Sequence, residues 1–423
     1  MMVSALRIET DESRLTFPEM VEGLLNHFIR LWWECPTINK EFGRSYELHR
    51  QLENEKRTDQ ALAVLDNALI QQSQNGLNRE DLLRKLTDTF FNYTQEIFGF
   101  EPDIMQAIRA YGFEDALRQF AQMARHFDPS ISIGDIYQAG RNLWSMNFVQ
   151  LLLDRPVEVT PSAFAYSMLY PYTDNYLDDP GVSEDAKRLF NRRFALRLGG
   201  DPIKPLNKRE QRIFTLVAMV EAQYDRQHFP QVYESLLAIH KAQTRSLSLL
   251  RGEASPYAVD ILGISFEKGG TSVLADGYLV AGNLTPSERE KMFAYGALTQ
   301  LVDDLEDAQN DRYAGLMTVF SQTVRRWRLD EVTNRTLNFG EQVVEILAAE
   351  APSALDPLIT LFREALPLVV IQAAAGHRRY FSRDYAANMQ AHFPLRFRGM
   401  EARQKRIGRK QQELSALVNA LIV

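Results

Sequence analysis

The chain has 423 residues, 45% hydrophobic and 24% charged, with a formal net charge of -7 and a single cysteine, Cys35. That is ample material for a large core, while a lone cysteine excludes an internal disulfide framework and fits a reducing compartment. A net negative chain is poorly suited to phosphate backbones, which are bound mainly by Lys and Arg, so no nucleic acid partner is expected.

The opening segment, residues 1–17, carries acidic residues early and no apolar run of signal-peptide length, which predicts a cytoplasmic protein. No stretch reaches the ~20 uninterrupted apolar residues of a membrane span, so the chain is expected not to be integral to a membrane. Helical spacing then dominates: QALAVLDNALIQQ (60–72), DLLRKLTDTFFNYTQEIF (81–98) and EDALRQFAQMARHF (114–127) repeat apolar residues three and four apart. Strand signals are scarce. Breaks are expected at Asn75-Gly76, Asp128-Pro129, Arg155-Pro156, Gly199 to Pro205, Gly252 to Pro256, Asn283 to Pro286 and His392 to Pro394. Thr160-Pro161 and Thr285-Pro286 each set a capping hydroxyl before a proline suited to a first helical turn. Without a linker, repeat or low-complexity tract, one all-α domain is expected. Its parts are accessory N-terminal helices over 1–135, a helical core over 136–390 and a basic C-terminal helix over 391–423.

Two acidic turns carry the chemistry. In SAFAYSMLYPYTDNYLDDPGVS, Asp174 and Asp178 are one helical turn apart and Asp179 is adjacent. In EKMFAYGALTQLVDDLEDAQNDRYAG, Asp303 and Asp304 stand one turn before Asp307, Asp311 lies one turn further, and Gln300 one turn earlier. Like charges on one helix face are destabilising, so each turn is either fully solvated or answered by a cation. The aromatic and apolar residues leading into both turns favour a site at the mouth of a cavity. Mg²⁺ suits it, because this ion takes one or two carboxylates and completes its shell with water and substrate phosphate oxygens. An anionic polyphosphate substrate follows.

Gln300-Leu-Val-Asp303-Asp304-Leu-Glu-Asp307 resembles the Q-x-x-D-D-x-x-D signature of trans-prenyl diphosphate synthases. Upstream, Phe266-Glu267-Lys268-Gly269-Gly270-Thr271 is similar to that family's lysine-containing helix break, and Ala242-Gln243-Thr244-Arg245-Ser246-Leu247 to its G-Q-x-x-D-L element. The resemblance spans roughly residues 140–385 and implies the class I isoprenoid synthase fold, an antiparallel helical bundle around a deep apolar cavity. It further implies a prenyl diphosphate substrate, Mg²⁺ (three ions with substrate bound) and metal ligation by Asp174, Asp178, Asp179, Asp303, Asp304 and Asp307. Asp174, Asp178, Asp303 and Asp304 are the expected catalytic carboxylates.

The departures select among activities. The first cluster reads D-x-x-x-D-D, closer to squalene and phytoene synthases than to the D-D-x-x-D of elongating enzymes, and the G-G-K-R-x-R-P element for isopentenyl diphosphate is absent. Ser246 replaces the aspartate of G-Q-x-x-D-L. This pattern resembles terpene synthases related to prenyltransferases, which implies ionisation with release of diphosphate to give a terpene hydrocarbon or alcohol. The alternatives are coupling of prenyl units, head-to-tail or head-to-head, and a non-catalytic isoprenoid-binding helical protein.

Lys268, Thr271, Gln300, Gln243, Arg245, Arg378, Arg379 and Tyr380 are the expected substrate-binding residues, with Tyr170 one turn before Asp174 where bulk limits tail length in the related synthases. Pro171 is expected to distort that helix. Gln243 and Arg245 are alternatives for the inward face. Arg192 and Arg193 are either an anion-binding pair or a solvated helix face. Seven basic side chains over 391–410, against Glu401, suit either peripheral contact with an anionic membrane surface or a solvated helix or dimer contact. Homodimers are common among the related prenyltransferases. Neither His377 nor His392 has partners at zinc-ligand spacing, and no G-x-S-x-G, P-loop or dinucleotide fingerprint occurs.

Overall fold

The computed structural model describes residues 15–38, 42–73, 79–250 and 260–422; the expected breaks at Asn75-Gly76 and Gly252 to Pro256 lie outside the described residues. The chain begins with α1 (Phe17–Glu34), α2 (Leu48–Ser73), α3 (Arg79–Phe98), α4 (Pro102–Ala110) and α5 (Phe113–Phe127). Next come α6 (Ile133–Leu152), α7 (Pro161–Asp178), α8 (Glu184–Gly199), α9 (Lys208–Gln223), α10 (Pro230–Ser246), α11 (Ile261–Ala281) and α12 (Pro286–Glu306). It closes with α13 (Ala308–Ala314), α14 (Val319–Thr323), α15 (Asp330–Ala348), α16 (Asp356–Ala375), α17 (Arg383–Ala391), α18 (Phe397–Gly408) and α19 (Gln411–Ile422). Among the described residues there is no strand, only an isolated bridge between Leu250 and Leu316. The all-α expectation therefore holds.

The predicted punctuation is where the helices stop. Asp128-Pro129, Arg155-Pro156, Gly199 to Pro205, Asn283 to Pro286 and His392 to Pro394 each fall at or between helix ends. The Thr160 hydroxyl accepts from the Ala163 amide at 3.1 Å, and Thr285 forms a reciprocal capping box with Glu288. Both satisfy amide groups that a helix N-terminus leaves without partners.

α7 continues through Pro171 to Asp178. The expected helix break at Lys268 is absent: α11 runs unbroken through Lys268, Gly269 and Gly270. The glycines serve packing instead. A Cβ on Gly269 or on Gly296 would collide with the backbone carbonyl of the other, and Gly270 lies under the Phe293 ring. α11 and α12 thus cross almost backbone to backbone. That contact outweighs the roughly 1 kcal/mol by which each glycine disfavours a helix interior.

α1 belongs to the same principal core. Phe28 stacks on Phe293 of α12 at 5.7 Å and meets Phe339 of α15 edge-on at 6.4 Å, all three fully buried. Each such ring stabilises the assembly by roughly 1.5–3 kcal/mol. Ala68, Leu69, Leu82 and Leu417 form a separate small core joining α2, α3 and α19. α16, taken with the turn before it, is apolar and long enough to cross a membrane by length and composition alone; here it packs on α4, α12 and α15.

The basic C-terminal stretch has partners within the chain. Arg396 bonds Glu55 at 2.7 Å, Arg403 bonds Asp59 at 2.6 Å, and Arg406 and Lys410 both bond Asp66, at 2.5 and 2.7 Å. Four of the seven cations therefore form a ladder clamping α18 along α2. Arg398, Lys405 and Arg409 remain exposed.

Candidate active site

The last turn of α12 gathers Asp303, Asp304, Glu306 and Asp307. Asp303 keeps accessible surface, whereas Asp304 is 6% exposed and turns inward. Gln300 donates its side-chain amide to Asp304 Oδ1 at 2.8 Å, while Oδ2 is buried without a hydrogen-bond partner. Lys268 of α11, half-buried, lies close enough to stabilise the charges of Asp303, Asp304 and Asp311.

Desolvation governs all three acids. Burial pushes Asp304 up to about 6, against the pull of Gln300 and Lys268. Burial, then repulsion from Asp304, Asp307 and Asp303, takes Asp311 to about 7. Asp303 is raised by desolvation, opposed by Lys268 and Arg141 and reinforced by Asp307. Carboxylates pushed toward neutrality by burial and mutual repulsion form a site that gains from a bound cation.

Asp307 ends α12, its amide bonded to the Asp303 carbonyl at 2.9 Å and its carboxylate accepting from Asn310 at 3.2 Å. Among the described residues, no three His, Cys, Asp or Glu side chains form a ready metal cage. Mg²⁺ requires only one or two carboxylates when substrate phosphate supplies the rest. The unpartnered Asp304 Oδ2 and the surrounding carboxylates therefore fit that ion.

Asp303 also lines a groove of about 280 Å³ between α6, α12 and α16. Arg141 and Glu306 share its polar end, and Tyr295, Leu298, Val302 and Phe362 make its apolar wall. Phe362 and Tyr295 are in edge contact at 5.8 Å. Sequence reasoning missed Arg141 and Phe362. Each belongs to an element far away in the chain, and neither carries a local motif.

The first cluster is arranged differently. Asp174 borders a narrow cleft with Tyr170, Thr173 and Gln243, between α7, α8 and α10. The cleft encloses about 30 Å³, room for one or two waters rather than for a prenyl chain. Thr173 donates to Asp174 Oδ1 at 3.1 Å. Asp178 is the last residue of α7, and its side chain lies outside those described. Asp179 is exposed and accepts from the Gly181 amide at 2.7 Å, shaping the turn after α7.

The remaining expected residues divide between both regions and the scaffold. Arg245 forms a 2.6 Å ion pair with Glu267, the residue before Lys268. Thr271 is buried, and its hydroxyl donates back to the Glu267 carbonyl at 2.6 Å. Tyr170 shares a 2.7 Å hydroxyl contact with Ser272 of α11. The Arg378–Tyr380 turn is anchored beside α12, because a ring nitrogen of His377 lies 2.7 Å from the Glu306 carbonyl. Arg379 donates to the Tyr380 hydroxyl at 2.7 Å, whereas Arg378 pairs with Glu401 of α18. Arg193 makes a bidentate bridge to Glu210, both contacts at 2.9 Å, tying α8 to α9; Arg192 is exposed.

Comparison with known proteins returns no match: no family model, no curated protein and no solved structure matches the chain.

Proposed function

We propose that the protein is a Mg²⁺-dependent, terpene-synthase-like enzyme of the class I isoprenoid synthase type, ionising a linear prenyl diphosphate with release of diphosphate. The observation that carries this reading is Asp303, which stands at the polar end of an apolar groove while sharing a cluster with Asp304, Asp307, Asp311 and Lys268. The groove walls suit a hydrocarbon chain, and its end suits a cation-bridged polyphosphate.

Asp303, Asp304 and Asp307 would hold Mg²⁺ here, with Asp174, Asp178 and Asp179 as the second set, and the bound ion supplies Lewis-acid stabilisation of the leaving diphosphate. Lys268 and Arg141 flank Asp303 and meet the diphosphate charge. Tyr295 and Phe362 line the chain and offer ring faces to an allylic cation. Arg379 and Tyr380 would close over the diphosphate, the role the resemblance implies for them; their turn is tied to the end of α12 through His377. Of the N-terminal helices, α1 packs against α11 and α12.

The test is incubation of the purified protein and Mg²⁺ with C10, C15, C20 and C25 prenyl diphosphates, with and without isopentenyl diphosphate. Hydrocarbon or alcohol formed without the second substrate is the expected result. A longer diphosphate formed only when isopentenyl diphosphate is present assigns chain elongation instead. Binding without turnover assigns a carrier.

A further inference from the structure

Behind the groove lies a buried polar group that ionisation of a diphosphate does not use. Asp276 of α11 is 1% exposed, and its Oδ1 has no hydrogen-bond partner. Asn142 and Ser145 of α6 stand beside its carboxyl, and Ser145 also stands beside the hydroxyl of Tyr295, a wall residue of the groove. Ser272, one turn before Asp276, carries the contact to Tyr170.

A buried carboxyl oxygen without a partner costs about 1–3 kcal/mol, and ordered water is the usual remedy where several polar groups converge. Asp276 Oδ1, Ser145 and Tyr295 supply the three or so hydrogen bonds such a water makes. Burial drives the Asp276 carboxyl well above the ordinary carboxylate range, against the pull of Asn142 and Ser145, which favours its uncharged form. A neutral acid at this place holds water without trapping a cation, which a carboxylate would do.

The position sets the outcome. Tyr295 lies eight residues before Asp303 on α12, and Asp276 eight after Lys268 on α11. On either helix that separates the polar group from the diphosphate end by ~12 Å. Water there meets the chain beyond its first isoprene unit.

Resting on the function proposed above, we infer that Asp276, Ser145 and Tyr295 form a water-holding subsite that quenches the prenyl cation at an internal carbon, making the product an internal alcohol. The carbon–oxygen bond to diphosphate breaks with its electron pair, the π electrons of a distal double bond form a carbon–carbon bond to the allylic carbon, and the water oxygen bonds the distal carbon left cationic. The surplus proton leaves through the Ser145 and Tyr295 hydroxyls to solvent, where the released diphosphate takes it up.

Turnover in H₂¹⁸O, with product and diphosphate measured together, tests this. The wild-type protein is expected to place ¹⁸O on an internal carbon. Ser145→Ala and Asp276→Leu should each lower the ratio of alcohol to hydrocarbon about tenfold, the loss of one hydrogen bond to the water, while diphosphate release persists. Diphosphate release accompanied only by hydrocarbon, or by primary alcohol, overturns the subsite and leaves the proposed function standing. If no prenyl diphosphate releases diphosphate, both fall. Because the wild-type labelling needs no variant, a misfolded substitution does not blunt the test. A high-resolution crystal structure with no water bonded to Asp276 Oδ1 would also overturn it.

Discussion

Gln300 and Asp304 are joined by a 2.8 Å hydrogen bond across one turn of α12, which leaves the second oxygen of a buried carboxylate unpaired. A buried acid only partly answered by Gln300 and Lys268 destabilises the empty protein and is stabilised by a cation. At ten times its Kd, Mg²⁺ should add about 1.4 kcal/mol to the wild-type stability. Asp304→Asn removes the buried charge, so metal-free stability should be unchanged or rise by about 1 kcal/mol, and the Mg²⁺ response should vanish. Thermal unfolding in chelator and in Mg²⁺ reads both. A variant that retains the full Mg²⁺ response removes Asp304 from the metal site.

The α11–α12 crossing predicts opposite signs for two glycine replacements. Gly296→Ala forces a methyl into the Gly269 carbonyl and should cost about 1–3 kcal/mol or more, since backbone cannot give way as a side chain can. Gly23→Ala, in the exposed middle of α1 with nothing near the added methyl, should instead stabilise by about 0.5–1 kcal/mol. Urea unfolding of the two variants beside wild type decides. Equal effects would mean that helix propensity, and not the crossing, governs both positions.

The α2–α18 ladder predicts a pH-dependent increment. Glu55 is held below the ordinary glutamate value of 4.5, chiefly by its hydrogen bonds to Arg396, with burial opposing. A depressed folded-state value means that the stabilisation is fully present above the unfolded value and is lost as pH falls through the folded one. Glu55→Gln should therefore cost about 1–2 kcal/mol at pH 7, between an exposed and a buried pair. The difference from wild type should shrink as pH drops below about 4.5. Denaturant midpoints from pH 7 to pH 3 measure it, and a constant difference would contradict the ion-pair role.

The helices were legible because their signals are local. Thr160-Pro161 and Thr285-Pro286 announce their caps, and apolar spacing marks the buried faces. Lys268-Gly269-Gly270 misled, because a glycine pair reads alike as a break and as a close crossing. Only Gly296, 27 residues on, distinguishes the two. The acidic turn at Asp303 was legible from like charges following an apolar helix. Arg141, Phe362 and Asp276 were not, since their significance comes from neighbours on other helices. The basic tail's ion pairs were hidden for the same reason: the partners Glu55, Asp59 and Asp66 lie more than 300 residues earlier.

The most direct test is Mg²⁺-dependent diphosphate release from a prenyl diphosphate supplied alone, compared between wild type, Asp303→Asn and Lys268→Ala. Release by wild type, abolished by chelator and lowered at least about 100-fold in either variant, is the predicted result. Release that survives chelator, or that both variants sustain at the wild-type rate, would contradict an active site built on Asp303 and Lys268.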